Sequence, residues 1–182
     1  GEQGGNALAD VLFGHASPSG RLPVTVPYSV DDLPPYDDYN MQGRTYKYMT
    51  TEPLFPFGFG LSYAQFEYGP ISPAVNNPEA AGDRYELSLN LTNQSGFAAD
   101  EVVQLYIQLK DENLDLPLMS LIDFQHVSLQ ANETQRLIFE LSRSDFQYVN
   151  EQGERFDFQG EAEVYIGGSS PHSRNIELGS PT

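Results

Sequence analysis

The sequence predicts a mainly β chain: a β-sandwich preceded by one short helix, one short extended run and a long irregular linker. Two observations carry this reading. After Tyr68-Gly69-Pro70, short runs of alternating apolar residues recur about every ten residues between turn signals, and no helical period of useful length intervenes. Before that point runs a proline- and aromatic-rich path that sustains no period. A length of 182 residues suits one ordinary domain, or a small domain with an appended piece. It falls short of the roughly 200–250 residues of an eight-fold barrel.

The elements follow in chain order. Asn6 to Phe13 reads as a helix, because Leu8, Val11 and Leu12 stand at i, i+3 and i+4 and Gly14 sits where a terminating glycine belongs. Pro18-Ser19-Gly20 is a turn, and Leu22-Pro23-Val24-Thr25-Val26-Pro27 is a short extended run. From Pro27 to Pro56, Pro34-Pro35, Asp31-Asp32 and Asp37-Asp38 break any helix, while seven aromatics lie between Tyr28 and Phe57. A path of about thirty residues without structure of its own is uncommon inside a compact domain. It reads as a linker laid across another surface. One helix and one strand cannot enclose a core, so residues 1–66 resemble the end of a larger domain.

The second part alternates cleanly. Tyr85, Leu87, Leu89 and Leu91 share one face, with Glu86, Ser88 and Asn90 on the other. Val103, Leu105, Ile107 and Leu109 alternate next, although Val102 and Tyr106 make that strand apolar on both faces. Leu137, Phe139 and Leu141 follow, then Phe156 and Phe158, then Ala162, Val164 and Ile166. Turn signals separate these runs at Asn93-Gln94-Ser95-Gly96, Gln130-Ala131-Asn132, Glu151-Gln152-Gly153 and Gly167-Gly168-Ser169-Ser170. About seven short strands at this spacing indicate a sandwich of immunoglobulin-like type.

Charge excludes whole classes of function. Nine basic against 26 acidic residues leave a net charge of −17, so neither nucleic acid nor an anionic membrane surface is an expected partner. No apolar run is long enough to span a bilayer, and the first residues carry neither the basic nor the apolar region of a signal peptide. The absence of Cys removes disulfides, thiolate metal sites and a Cys nucleophile.

No catalytic constellation emerges residue by residue. The glycines before Asn6 lack the Gly-Lys-Ser/Thr or G-x-G-x-x-G pattern of a phosphate loop. Asp111, Asn113 and Asp115 start like a calcium loop, but Leu116, Pro117 and Ile122 stand where its Gly, its seventh residue and its final Glu belong. His15, His126 and His172 lie far apart, and neither Ser19 nor Ser62 sits in G-x-S-x-G. Catalytic, cofactor-binding and metal residues are therefore none, and no cofactor is expected.

Six motifs in order resemble a known family. Gly4-Gly5-Asn6-Ala7-Leu8-Ala9-Asp10-Val11-Leu12-Phe13-Gly14 and Pro18-Ser19-Gly20-Arg21-Leu22-Pro23-Val24-Thr25 resemble the close of the second, α/β sandwich domain of family-3 glycoside hydrolases. Gly43-Arg44-Thr45-Tyr46-Lys47-Tyr48 and Leu54-Phe55-Pro56-Phe57-Gly58-Phe59-Gly60-Leu61-Ser62-Tyr63 resemble that family's linker into its third domain. Glu101-Val102-Val103-Gln104-Leu105-Tyr106-Ile107 and Val164-Tyr165-Ile166-Gly167-Gly168-Ser169-Ser170 resemble its fibronectin type III-like domain. Leu116-Pro117, Asp123-Phe124 and Ala131-Asn132-Glu133 depart from the family pattern in sandwich loops.

The resemblance implies three parts: residues 1–27 as the C-terminal end of the α/β sandwich domain, 28–68 as linker, and 69–182 as the fibronectin type III-like β-sandwich. The family's Asp nucleophile and its usual Glu acid/base would lie upstream of Gly1, in a chain of which this is a fragment. It also implies a parent that is a retaining, exo-acting β-glycosidase cleaving β-glucosides or β-xylosides, or oligo- and polysaccharides containing them, from the non-reducing end. Gly43-Arg44-Thr45-Tyr46 leans toward the β-xylosidase branch. The partners implied are the upstream barrel and α/β domains, with Arg44, Tyr46 and Tyr48 as linker anchors to them. A secreted or periplasmic location is the expectation. The alternative is a carbohydrate- or surface-binding sandwich without catalysis.

Overall fold

A computed structural model describes residues 2–73 and 84–180. Helix α1 spans Gly4–Leu12 and so begins two residues before the predicted Asn6. It ends where the sequence places its end: Gly14 takes φ +74°, and the Gly14 and His15 N–H groups donate to the Val11 and Asp10 carbonyls. Its apolar stripe is bare, with Leu8, Leu12 and Phe13 all exposed. A nine-residue helix without packing on that stripe is marginal in water.

The extended run after it forms an isolated bridge, Val26 with Phe55. Pro23 and Pro27 lack the N–H groups a longer ladder would need. Even so, residues 22–26 lie along 55–59 through reciprocal bonds: the Leu22 and Val26 N–H groups donate to the Phe59 and Phe55 carbonyls, and Gly58 donates back to Leu22. The linker between these segments contains one 3₁₀ turn at Val30–Asp32 and a short helix α2, Thr45–Tyr48.

The strands are β1 (Phe66–Tyr68), β2 (Ser72–Pro73), β3 (Arg84–Asn93), β4 (Ala99–Lys110), β5 (Ser120–Leu129), β6 (Thr134–Ser142), β7 (Gln147–Val149), β8 (Arg155–Asp157) and β9 (Glu161–Gly167). In one sheet β3 pairs with β6 on one side and with both β1 and β2 on the other. The second sheet runs β5-β4-β9, and β7-β8 form a separate hairpin. All pairings are antiparallel. The core between the sheets is built from the alternating residues the sequence shows: Leu89 and Leu91, Val103, Leu105 and Ile107, Leu137, Phe139 and Leu141, joined by Val127 and Leu129.

Strand β5 has no counterpart among the predicted runs, and its pairing explains why. Leu105 faces Asp123 but Tyr106 faces Leu121, so Ile122 is an extra residue bulged out of register. On either side of a bulge the inward-facing positions change parity. Ile122 and Val127 both pack on the core, and no single alternation connects them. The strand β4 that reads as apolar on both faces is buried on both: Val103, Leu105 and Ile107 face the core, while Gln104 and Tyr106, of opposite parity, are buried beneath the linker. Helix α3 (Ser173–Glu177) also departs from the expectation of no helix after Tyr68. At five residues it is too short to show a period, and the His172 ring caps it by accepting the Arg174 N–H.

Phe139 is fully buried at the centre of this core. Phe139→Ala is expected to destabilise the chain by about 3–5 kcal/mol, seen as a lower denaturant midpoint at unchanged slope.

Candidate functional site at the linker and sandwich junction

The most chemically loaded place in the chain is the seam between the first sixty residues and the sandwich. Glu101 stands at the head of the β4 row that continues into Val103 and Leu105, and its side chain is 0% exposed. Arg21, 6% exposed, reaches it with Nη2 2.6 Å from Oε1. Arg21 also donates from Nε to the Gly168 carbonyl (2.9 Å) and from Nη1 to the Ser19 carbonyl (3.1 Å). The Val102 N–H donates to Oε1, while Oε2 and the nearby Tyr68 hydroxyl on β1 are both buried without a hydrogen-bond partner among the described residues. Burial pushes the Glu101 carboxyl up from its ordinary range, against the Arg21 charge and these hydrogen bonds, which hold it down. Burial and the adjacent carboxylate raise Tyr68 as well, so its phenol stays protonated.

Beside the ion pair lies a neutral hub. Gln104 donates to the Gly168 carbonyl at 2.8 Å and accepts from the Tyr106 hydroxyl at 2.5 Å, and Gly58 packs directly over both side chains. A Cβ on Gly58 would lie 2.4 Å from the Gln104 oxygen, and the residue has φ +76°; both facts demand glycine. Gly60 is confined in the same way, its would-be Cβ 2.3 Å from the Gly20 carbonyl oxygen. Ser180, near the far end of the chain, donates to the Gly60 carbonyl at 3.0 Å. The Arg174 guanidinium lies 5.7 Å from the centre of the Tyr28 ring. Near the other end of the sequence, Ser17 shares a hydrogen bond with Ser62 and the Val11 carbonyl accepts from the Tyr63 hydroxyl, so both ends grip the linker.

Arg44, Tyr46 and Tyr48, which the resemblance implies as anchors to upstream domains, also make contacts within this chain. Arg44 donates to the carbonyls of Asn40, Pro35 and Asp38 and so closes a loop of the linker on itself. Tyr46 fastens the linker to the sandwich: its ring stacks on Phe57 at 4.2 Å, sits edge-on to Tyr106, and its hydroxyl accepts the Leu121 N–H of β5. Burial raises Tyr46. Burial also raises Tyr48, reinforced by the nearby Asp115 carboxylate.

The chemical candidates disperse. His15 lies beside Asp10, His126 beside Asp100, and His172 caps α3. Asp111 accepts the Asn113 N–H as a turn would, and Asp115 accepts from Gln42. The described residues contain no group of three or more His, Asp or Glu able to hold a metal ion. The residues that form the seam were inside quoted motifs without being singled out. The available signal was a carboxylate, Glu101, heading a strand apolar on both faces, which obliges a cation to come from elsewhere.

A β-sandwich with a preceding segment and linker laid across part of one sheet is the architecture these contacts define. Residues 1–63 match the glycosyl hydrolase family 3 C-terminal domain, and residues 101–170 match the fibronectin type III-like domain. The chain belongs to glycoside hydrolase family 3, as a C-terminal part of it. It is 40% identical over 151 residues to a xylan 1,4-beta-xylosidase of Xylanibacter ruminicola, covering 81% of this chain and 17% of that protein. It is 32% identical over 180 residues to a periplasmic beta-glucosidase of Salmonella typhimurium, covering 92% of this chain and 23% of that protein. Among solved structures, a β-glucosidase of Bifidobacterium adolescentis superposes with a TM-score of 0.79 at 31% identity, covering 92% of this chain and 26% of the other. The chain thus spans about a quarter or less of the length of these relatives.

Two substitutions probe the seam. Arg21→Met leaves a buried carboxylate unpaired and is expected to cost about 3–5 kcal/mol, while Arg21→Met combined with Glu101→Leu recovers most of that loss. Equal stability of wild type and Arg21→Met in denaturant titration would remove the seam's importance. Thr45, at the start of α2, holds φ +55°, an outlier for a β-branched residue. Thr45→Asn tolerates that backbone and keeps an acceptor for the Lys47 N–H. It is expected to add roughly 0.5–1 kcal/mol, read as a rise of a few degrees in Tm.

Proposed function

We propose that this chain is the C-terminal structural portion of a retaining, exo-acting β-glycosidase, one that hydrolyses β-glucosides or β-xylosides from the non-reducing end. Its catalytic carboxylates lie in the upstream domains, and none of its own residues takes a catalytic role. The observation that carries the reading is the buried Arg21–Glu101 pair. It welds the stretch matching the family-3 C-terminal domain to the stretch matching the fibronectin type III-like domain. A junction locked by a desolvated ion pair, two glycines with no room for a side chain and contacts from both chain ends has the physics of a clamp. The names of the relatives supply the substrate class. The Gly43-Arg44-Thr45-Tyr46 linker favours the xylosidase branch. The name of the Salmonella relative also favours a location outside the cytoplasm, which cell fractionation reads.

Two measurements test this. The purified 182-residue chain should turn over neither nitrophenyl β-xyloside nor nitrophenyl β-glucoside, whereas the longer polypeptide carrying it should hydrolyse at least one. Deleting residues 69–182 from that polypeptide should lower Tm and soluble yield more than it lowers kcat of the protein that remains folded. Turnover by the chain alone, abolished by a point substitution within it, would overturn the proposal. So would a truncated enzyme of unchanged Tm.

A further inference from the structure

The three most exposed large apolar side chains among the described residues belong to one loop of the linker: Tyr36 at 96%, Tyr39 at 90% and Val30 at 81%. That loop is not slack. Ser29 and Asp32 cap each other's backbone across the 3₁₀ turn. Asp38 accepts both the backbone and side-chain N–H groups of Asn40, at 2.9 and 2.7 Å. Arg44 draws the carbonyls of Pro35, Asp38 and Asn40 together at 2.6–3.1 Å. Pro34 packs against Gly43, where the chain turns back with φ +71°. The loop is thus held in one shape that turns its two tyrosines outward. Among the described residues nothing covers those rings.

The charges around them are one-sided. Asp31, Asp32, Asp37 and Asp38 flank the tyrosines, and among the described residues none pairs with a cation. The only guanidinium in the loop, Arg44, is committed to carbonyl oxygens. Bordering the loop is an apolar groove of about 640 Å³ walled by Val24, Leu33, Met41 and Phe57. A second copy of this chain is a poor fit for the face, since a net charge of −17 repels its own image.

We propose that the 29–43 loop is a docking face for an upstream part of the same polypeptide, which receives Tyr36 and Tyr39 in an apolar depression ringed by Lys or Arg side chains. This rests on the reading of the chain as the C-terminal part of a larger enzyme. The loop falls inside the stretch matching the family-3 C-terminal domain, and the relatives carry about three quarters or more of their length beyond what this chain covers. Arg44 is then a positioning residue: it shapes the loop, and the tyrosines make the contact. Aromatic anchors inside a ring of complementary charge are the usual makeup of a specific contact.

Hydroxyl-radical footprinting with mass spectrometry tests this without perturbing the fold. Oxidation of Tyr36 and Tyr39 is compared between the isolated chain and the longer polypeptide, with exposed Phe124 of β5 as the reference ring. The expected result is at least five-fold protection of both tyrosines in the longer polypeptide, and full reactivity in the isolated chain. Equal reactivity in both overturns the proposal. Protection of the isolated chain by added xylo- or gluco-oligosaccharide also overturns it, in favour of a saccharide surface, and protection that grows with chain concentration overturns it in favour of self-association. A second arm uses Tyr36→Ser with Tyr39→Ser: Tm should fall by several degrees in the longer polypeptide and stay unchanged in the isolated chain. An unchanged Tm in both again overturns the proposal. Neither readout requires glycosidase turnover, so a polypeptide that protects the tyrosines but hydrolyses no glycoside would sink the proposed activity and leave the docking face standing.

Discussion

A carboxylate with no route to water organises this molecule. Glu101 heads the row of β4 residues that build the sandwich core, and a buried unpaired charge there would cost several kcal/mol. The sandwich does not solve this with its own residues, because the matching cation, Arg21, belongs to the segment that precedes the linker. Once Arg21 is drawn in, Gly20 and Gly60 must pass within van der Waals contact, and residues 22–26 and 55–59 fall into register beside them. Gly58 then lies over Gln104 and Tyr106, and that part of the outer face of β4 is covered. Such a pair adds little net stability over an apolar equivalent. What it does supply is a single permitted arrangement of segment and sandwich.

Most of the fold was legible because alternation reports burial directly. The rows ending in Leu91, Leu109 and Leu141 are core rows in the structure as in the sequence, with Leu109 only partly buried. Tyr106, the residue that spoiled a clean alternation in β4, marks the face where the linker lies. What escaped did so for physical reasons. The bulge at Ile122 lies near the start of β5, so its core residues Ile122, Val127 and Leu129 follow no single alternation. Helix α3 is fixed by a His cap and by the buried Asn175, whose amide donates to Ser170, and not by an apolar period.

The junction was less legible than the fold. Arg44, Tyr46 and Tyr48 stand out in the sequence because they cluster, yet clustering along the chain gives no direction in space. Tyr46 turns inward to the sandwich, Arg44 turns onto its own loop, and the rings left facing outward are Tyr36 and Tyr39. Arg21 looked unremarkable between a turn and a proline. Its importance lies wholly in Glu101, eighty residues later, and no local pattern encodes a partnership of that span.

That span also sets an order of events. The Arg21–Glu101 pair joins positions 80 apart, and the Ser180–Gly60 bond joins positions 120 apart, so both close large loops. During synthesis the helix and linker leave the ribosome before β4 does, so the sandwich face they lie on is not yet formed. The receiving face exists only once β4 has paired with β5 and β9, and its last grip waits for Ser180. The sandwich therefore assembles first and the linker is laid down afterwards. Until that moment Arg21, Gly58 and Gly60 are without the partners that the sandwich and its C-terminal end supply.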